Sequence, residues 1–275
     1  MKKLRATVVL FSALILLSAC AHMTQNTANV SPAPVLDRIV KKGELVVGTA
    51  ASMPPLNMTT KEGEIIGFEI DIAAYMAEAM GVKLRLEAMP FSDLLPALES
   101  GKIDMILSGM TITANRNLKV AFVGPYFTSG KAFLTKDKNI AAAKEGSEIN
   151  SPDRTLVALK GSTSQAFVEE IITQAKLVTT ENYDKAVAMV IEDKADALVA
   201  DYAICAVSVM RYPDEGLISI FTKLTYEPIG IAVPAGDPLL VNWVENFLRN
   251  LVGSGRMEAL VASWLKSSYW LKKLP

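Results

Sequence analysis

Histidine is nearly absent. The one histidine of the chain, His22, lies in a polar stretch ahead of the first patterned segment. The folded body is therefore without the residue that most often serves as a general base or a zinc ligand, which argues against a Ser-His or Cys-His nucleophile and a histidine-held metal. No metal and no cofactor is expected. Cysteine is almost as scarce, with only Cys20 and Cys205. Cys205 has no evident partner for an internal disulfide and reads as a small buried apolar residue. Neither sign of charge dominates: 28 Lys and Arg face 29 Asp and Glu, a net charge of −1. That balance gives no footprint for a nucleic acid. After residue 20 no apolar stretch approaches the ~20 residues of a membrane-spanning helix.

What is present begins with the leader. Met1-Lys2-Lys3-Leu4-Arg5 is basic, and the run from Ala6 to Leu17 is uncharged and mostly apolar. Together they read as a secretory signal over residues 1–19, too short for a stable span. Leu17-Ser18-Ala19-Cys20 resembles the lipobox of bacterial lipoproteins, which implies cleavage before Cys20 and a lipid on it. An ordinary signal with an incidental cysteine is the simpler rival. Loss of residues 1–19 removes Lys2, Lys3 and Arg5 and no acid, so the net charge moves from −1 to −4. Residues 20–35 are polar, aperiodic and proline-containing, and are expected to form a flexible tether.

From Leu36 onward, short β-branched runs alternate with helical ones. Strands are expected over residues 44–50, 83–88, 105–110, 155–160, 176–180, 197–200 and 229–233. Helices are expected over 68–80, 91–100, 164–175, 183–192, 239–251 and 257–265. Such alternation implies an α/β fold of parallel sheets with helices on both faces. A short internal repeat recurs at a spacing of 92: Phe91 matches Tyr183, and Lys102-Ile103-Asp104 with its strand matches Lys194-Ala195-Asp196 with its own. Two copies point to two lobes of similar construction.

Gly67-Phe68-Glu69-Ile70-Asp71-Ile72-Ala73 before a helix resembles the signature of extracellular solute-binding proteins of family 3, the amino-acid-binding subunits of ABC importers. Three more matching motifs follow in order: Ser108-Gly109-Met110-Thr111-Ile112-Thr113 ending at Arg116, then Gly161-Ser162-Thr163-Ser164, then Asp201. The resemblance spans about residues 37 to 268. It implies a periplasmic-binding-protein fold, with two Rossmann-like lobes joined by a two-strand hinge and a ligand cleft between them. Lobe 1 would comprise residues 36–128 plus 229–275, and lobe 2 residues 129–228. It further implies a monomer in the periplasm, held to the membrane by lipid, handing a free amino acid to an ABC permease.

Charge chemistry supports some of the same residues. A buried carboxylate needs charge-assisted donors, and arginine offers a planar bidentate fork. Arg116 follows a strand end, where open α/β sheets bind ligands. Ser162-Thr163-Ser164-Gln165 has capping-box spacing, so the Thr163 amide would face an anion, as would that of Thr111. The resemblance assigns the ligand ammonium to Asp201, the Thr111 hydroxyl and the Gly109 carbonyl, beside Ser108. Each has a plainer explanation: a basic patch with Lys119 for Arg116, a helix cap for Asp201, capping alone for Ser162 and Thr163. Asp104 and Asp196 read as turn acids bonding local amides. Glu69 and Asp71 read as N-terminal acids of a helix.

The positions that meet the ligand side chain in the family carry Ala50, Met53, Phe91 and Leu159. No acid stands at Ala50 and no basic residue at Leu159, so a neutral amino acid is expected. Glu227, beside the returning hinge strand, would favour a cationic ligand if it turned inward. Two other functions remain open on this sequence. One is an enzyme like the cyclohexadienyl dehydratases, which resemble these binding proteins but need a positioned general acid or base. The other is a sensory protein that presents its ligand to a membrane receptor.

Overall fold

The computed structural model describes residue 31 and residues 33–219 and 224–275. The expected signal, Cys20 and most of the tether lie outside these residues. The tether, expected to reach residue 35, gives way slightly sooner to a helix, α1 (Pro34–Lys42), opened by proline at its first turn. The chain then runs through β1 (Glu44–Thr49), a small hairpin sheet of β2 (Ser52–Met53), β3 (Asn57–Thr59) and β4 (Ile65–Ile66), and α2 (Phe68–Met80). β5 (Lys83–Ala88), α3 (Phe91–Glu99), β6 (Met105–Ile106), the one-turn α4 (Ala114–Asn117) and the long β7 (Val120–Ser129) follow. Next come β8 (Lys131–Thr135), α5 (Lys138–Ala142), β9 (Thr155–Leu159), α6 (Thr163–Ile171) and β10 (Lys176–Thr180). After α7 (Tyr183–Ile191), β11 (Ala197–Asp201), α8 (Tyr202–Arg211) and β12 (Ile218–Ser219), the chain closes with β13 (Glu227–Pro234), α9 (Pro238–Gly253) and α10 (Arg256–Trp264). Among the described residues no helix is long and apolar enough to cross a membrane.

Two five-stranded sheets result, ordered β5-β1-β6-β13-β7 and β10-β9-β11-β8-β12. The central strands β1, β9 and β11 are apolar on both faces because helices cover both, whereas the edge strand β5 carries Lys83, Arg85 and Glu87 and is only partly buried. On β1, Leu45 and Val47 pack with α1, α2, α9 and α10, while Val46 turns toward α3. On β9, Leu156 packs toward α6, while Val157 and Leu159 face α7 and α8. The sheets are mixed, not parallel as alternation suggested. β13 runs against β6 and β7, and β8 runs against β11 and β12. The reversed strands are those by which the chain enters each sheet from the other: β7 ends in the first sheet at Ser129 and β8 opens in the second at Lys131. β13 returns paired with β7, Glu227 opposite Ser129.

The repeat has a structural counterpart, and its two aspartates are structural as expected, though the amides they bond lie in neighbouring strands and not in the local turn. Asp104 Oδ2 accepts the Val46 amide of β1 at 2.8 Å, and Asp196 Oδ2 accepts the Thr155 amide of β9 at 2.7 Å. Each carboxylate fastens the start of a neighbouring strand, and each also takes an arginine, Arg38 or Arg154. Asp237 does a comparable task between helices. Its Oδ1 caps α9 at Leu240, and its Oδ2 accepts the Val35 and Leu36 amides of α1 at 2.8 and 3.0 Å.

Candidate functional site

The segment after β6, expected as strand to residue 110, bends early. Gly109 turns it with φ +59°, and a Cβ there would meet the Met53 side chain at 2.6 Å. A fully buried carboxylate fixes the bend: Glu69 accepts the Gly109 amide at 2.7 Å and the Asn57 amide group at 2.6 Å, and it takes the Tyr126 hydroxyl as well. Glu69 is thus an internal anchor and not simply a dipole-favoured helix acid. Burial pushes its carboxyl up, and the three hydrogen bonds pull it partly back. Asp71 instead accepts the Trp264 indole N–H at 2.6 Å.

Past the bend, Thr111 bridges to Ile229 through the Ile112 and Gly230 amides, so its own N–H stays outside the pairing. Thr113 caps α4 by accepting the Arg116 amide, which aims the Arg116 side chain back along the loop. The guanidinium donates to the Thr111 carbonyl at 2.9 Å and to the Gly161 carbonyl at 3.0 Å, and it stands 5.6 Å from the Phe91 ring centre. It therefore joins the two sheets' segments. Gly161, at φ +74°, approaches the Ser92 backbone so closely that a Cβ would lie 3.2 Å from its Cα. An exposed basic patch with Lys119 is not where Arg116 sits. Burial lowers its pKa, opposed by Glu227, Asp201 and Tyr183.

From the second sheet, Ser162 caps α6 by accepting the Gln165 amide at 3.2 Å. The reciprocal half of the box falls on Gly161, whose amide donates to Gln165 Oε1 at 2.8 Å. Capping accounts for Ser162, but the Thr163 hydroxyl does something else. It meets the Thr111 hydroxyl at 3.4 Å and donates to Glu227 Oε2 at 3.0 Å. The Thr163 amide is the first of the helix and has no intrahelical acceptor. Asp201 precedes α8 without capping it. Its carboxylate turns to Lys131, directly opposite on β8, with Nζ 3.3 Å from Oδ1.

Glu227 does turn inward. Thr225 and Thr163 donate to its two oxygens, and Lys131 Nζ lies 3.4 Å from Oε2. Burial raises its carboxyl, but Lys131 and the hydroxyls of Thr111, Thr225 and Thr163 together hold it below the usual glutamate value. Lys131 and Tyr183 were not legible as site residues. No strand was expected over Lys131–Thr135, so nothing in the sequence marked the lysine that opens it. Tyr183 had one available signal, its match to Phe91 in the repeat. Its hydroxyl and that of Ser164 are buried without a well-formed hydrogen bond.

Of the expected lining, Met53, Phe91 and Leu159 are buried in one apolar cluster that runs across both sheets, with Ala50 packed against it. Ser108 is enclosed, its hydroxyl accepting the Ala50 amide at 2.8 Å. Arg116, Asp201, Thr111 and Thr163 thus converge with Glu227 and Lys131, while Ser108 and Ser162 hold backbone around them. Among the described residues no group of three or more His, Cys, Asp or Glu could hold a metal ion.

Comparison with known proteins adds a family to this geometry. The chain is 31% identical over 267 residues to the ABC transporter glutamine-binding protein GlnH of Bacillus subtilis (strain 168), covering 92% of this chain and 93% of that one. A putative ABC-transporter binding component of Wolinella succinogenes, solved with lysine, superposes with a TM-score of 0.79 at 37% identity, covering 84% and 100% of the two chains. The ancestral amino-acid-binding protein AncCDT-1, a precursor of cyclohexadienyl dehydratase, superposes at 0.76 with 36% identity over 83% and 98%. Residues 45–267 match the family model, and the chain belongs to the bacterial extracellular solute-binding proteins, family 3.

Proposed function

We propose that this chain captures a free amino acid outside the cytoplasmic membrane and delivers it to an ABC-type permease. The observation that carries the reading is the convergence of Arg116, bonded to the Thr111 carbonyl, with Glu227, which accepts the hydroxyl of Thr163 beside that of Thr111, and with Asp201, linked to Glu227 through Lys131. A free amino acid presents a carboxylate beside an ammonium. Arg116 and the amides of Thr111 and Thr163 suit the carboxylate; Asp201, the Thr111 hydroxyl and the Gly109 carbonyl suit the ammonium. Lobe 1 would be residues 36–128 plus 229–275, and lobe 2 residues 129–228, closing on the ligand as a monomer. Residues 1–19 would be a signal, and lipid on Cys20 would keep the protein at the membrane in the periplasm.

The apolar cluster of Met53, Phe91 and Leu159, with Ala50 beside it, supports a neutral ligand. The inward carboxylate of Glu227 favours a second reading, a cationic amino acid, and the lysine bound by the Wolinella succinogenes protein points the same way. Catalysis would need an acid or base free to exchange a proton with the ligand. The buried Glu69 is tied by three donors, and Glu227 by two threonines and Lys131. Binding is therefore the better-supported activity.

A thermal-shift screen of the body from about residue 23 against all L-amino acids tests the assignment. A ligand at ~1,000 times its Kd stabilises the native state by about 4 kcal/mol. No shift with any amino acid would overturn it. Intact mass of the membrane-extracted protein tests the anchor: an unlipidated N-terminus other than Cys20 would remove it.

A further inference from the structure

One strongly buried cation lies among the acids of the site. The Lys131 side chain is 1% exposed, so its ammonium is stabilised by protein and not by water. Burying a charge is tolerable only where it is paired. Lys131 is paired twice, 3.3 Å from Asp201 Oδ1 and 3.4 Å from Glu227 Oε2. Its backbone is fastened on the same side: its amide donates to Thr225 Oγ1 at 3.1 Å, and its carbonyl accepts the Leu224 amide at 2.9 Å. Thr225 in turn donates to Glu227. The lysine, the acid and the segment that carries the acid therefore form one unit.

We infer that Lys131 sets the charge class of the ligand by holding, from within the protein, the position against Glu227 that the side chain of a cationic amino acid would otherwise take. The inference rests on the amino-acid reading above. Arg116 and Lys131 balance Asp201 and Glu227, two charges of each sign. A neutral amino acid adds one more of each and leaves the seam balanced. Lysine or arginine would bring a surplus positive charge beside Lys131 in a poorly hydrated setting, where like-charge contact is strongly unfavourable. Removing Lys131 leaves Glu227 without its cation and the seam with a surplus negative charge. Removing the Glu227 charge does the reverse.

The experiment is calorimetric titration of the soluble body with glutamine, leucine, lysine, arginine and glutamate, for the wild type, Lys131→Met, Glu227→Gln and the double variant. The wild type should bind a neutral ligand best. Lys131→Met should move the ratio of cationic to neutral affinity by about a hundredfold toward lysine or arginine. Glu227→Gln should move it away from them and raise relative affinity for glutamate. The double variant, again balanced, should return to a neutral preference. If Lys131→Met fails to fold, Glu227→Gln and the double variant still decide the matter. Uniform weakening with unchanged ratios would make Lys131 a structural ion and overturn the inference while leaving the amino-acid reading standing. So would a wild type that prefers lysine or arginine. Failure of every amino acid to bind the folded wild type would overturn both.

Discussion

Glu69 and Gly109 are forty residues apart, and the amide of the second donates to the carboxylate of the first at 2.7 Å. The head of α2 thereby fixes the bend that carries Thr111. Glu69→Ala should leave the Gly109 amide and the Asn57 and Tyr126 donors without their acceptor. At about 1–3 kcal/mol for a buried unsatisfied group, a loss of at least ~2 kcal/mol is expected in urea denaturation. Glu69→Gln should cost less. It should also change the pH dependence. The Glu69 carboxyl is raised above 4.5, so between 4.5 and its raised value the native state holds a proton that the unfolded chain has lost. Stability contributed there falls as pH rises. Glu227 is lowered below 4.5, and its contribution is lost as pH falls through its folded value. Subtracting the Glu69→Gln profile should isolate the decline above pH 4.5; an identical slope in both proteins would contradict it.

Arg116→Ala should weaken ligand binding by roughly 30- to 3,000-fold, the range set by about 2–5 kcal/mol for truncating one member of a buried charge pair. Asp201→Ala should do likewise. Because both close on one ligand, the double variant should lose less than the sum of the singles. Calorimetric titration of the four proteins checks this. Near wild-type affinity in Arg116→Ala would remove the carboxylate anchor.

Cys205 is fully buried against the Ala132 carbonyl, and burial pushes its thiol up to about 12. Reactivity follows the thiolate, which is then negligible at neutral pH. In the body from about residue 23 it is the single thiol. It should stay unmodified by a disulfide reagent in native buffer and react fully, one equivalent per chain, in guanidinium. Rapid native labelling would show that α8 opens.

Asp237→Ala removes the caps of two helices at once. At about 0.5–2 kcal/mol per cap, a loss of roughly 1–4 kcal/mol is expected, seen as a lower urea midpoint with unchanged slope. Asp237→Asn should recover part of it, since an amide oxygen can still accept one helix's amides. An effect as small as that of an exposed cap would mean that α1 is held by its apolar face alone.

α2 and β5 were readable to their bounds, the one from its acidic first turn and the other from its alternation of polar and apolar residues. α2 and β5 occupy Phe68–Met80 and Lys83–Ala88, the ranges expected from the sequence. β7 was not readable, because its burial alternates irregularly around Gly124-Pro125 and it pairs with β13 across a shift in register. Direction is also invisible to periodicity, which is why the reversal of β13 escaped; β8 was not expected as a strand at all. In the site, Arg116 was singled out by its planar fork after a strand end, whereas Asp201 was named only through the family resemblance. Lys131 was neither, since its meaning comes from Asp201 across the strand pair and Glu227 from the far end of the crossing. Glu69 likewise looks like any first-turn acid until Gly109 and Tyr126 arrive beside it.

β13 lies between β6 and β7, at an interior position of its sheet, yet it follows β7 by nearly a hundred residues and β6 by more. A chain emerging amino end first from a ribosome or a membrane channel cannot finish that sheet until residue 234 is out. The other sheet, made wholly of strands between Lys131 and Ser219, has all its parts fifteen residues earlier. Its strands can pair while β7 still offers an open edge with a vacant neighbour. Folding of the first sheet thus waits on a distant contact, and distant contacts form slowly. The interval leaves the exposed flanks of β6 and β7 as the part of the nascent protein most in need of protection from wrong pairing.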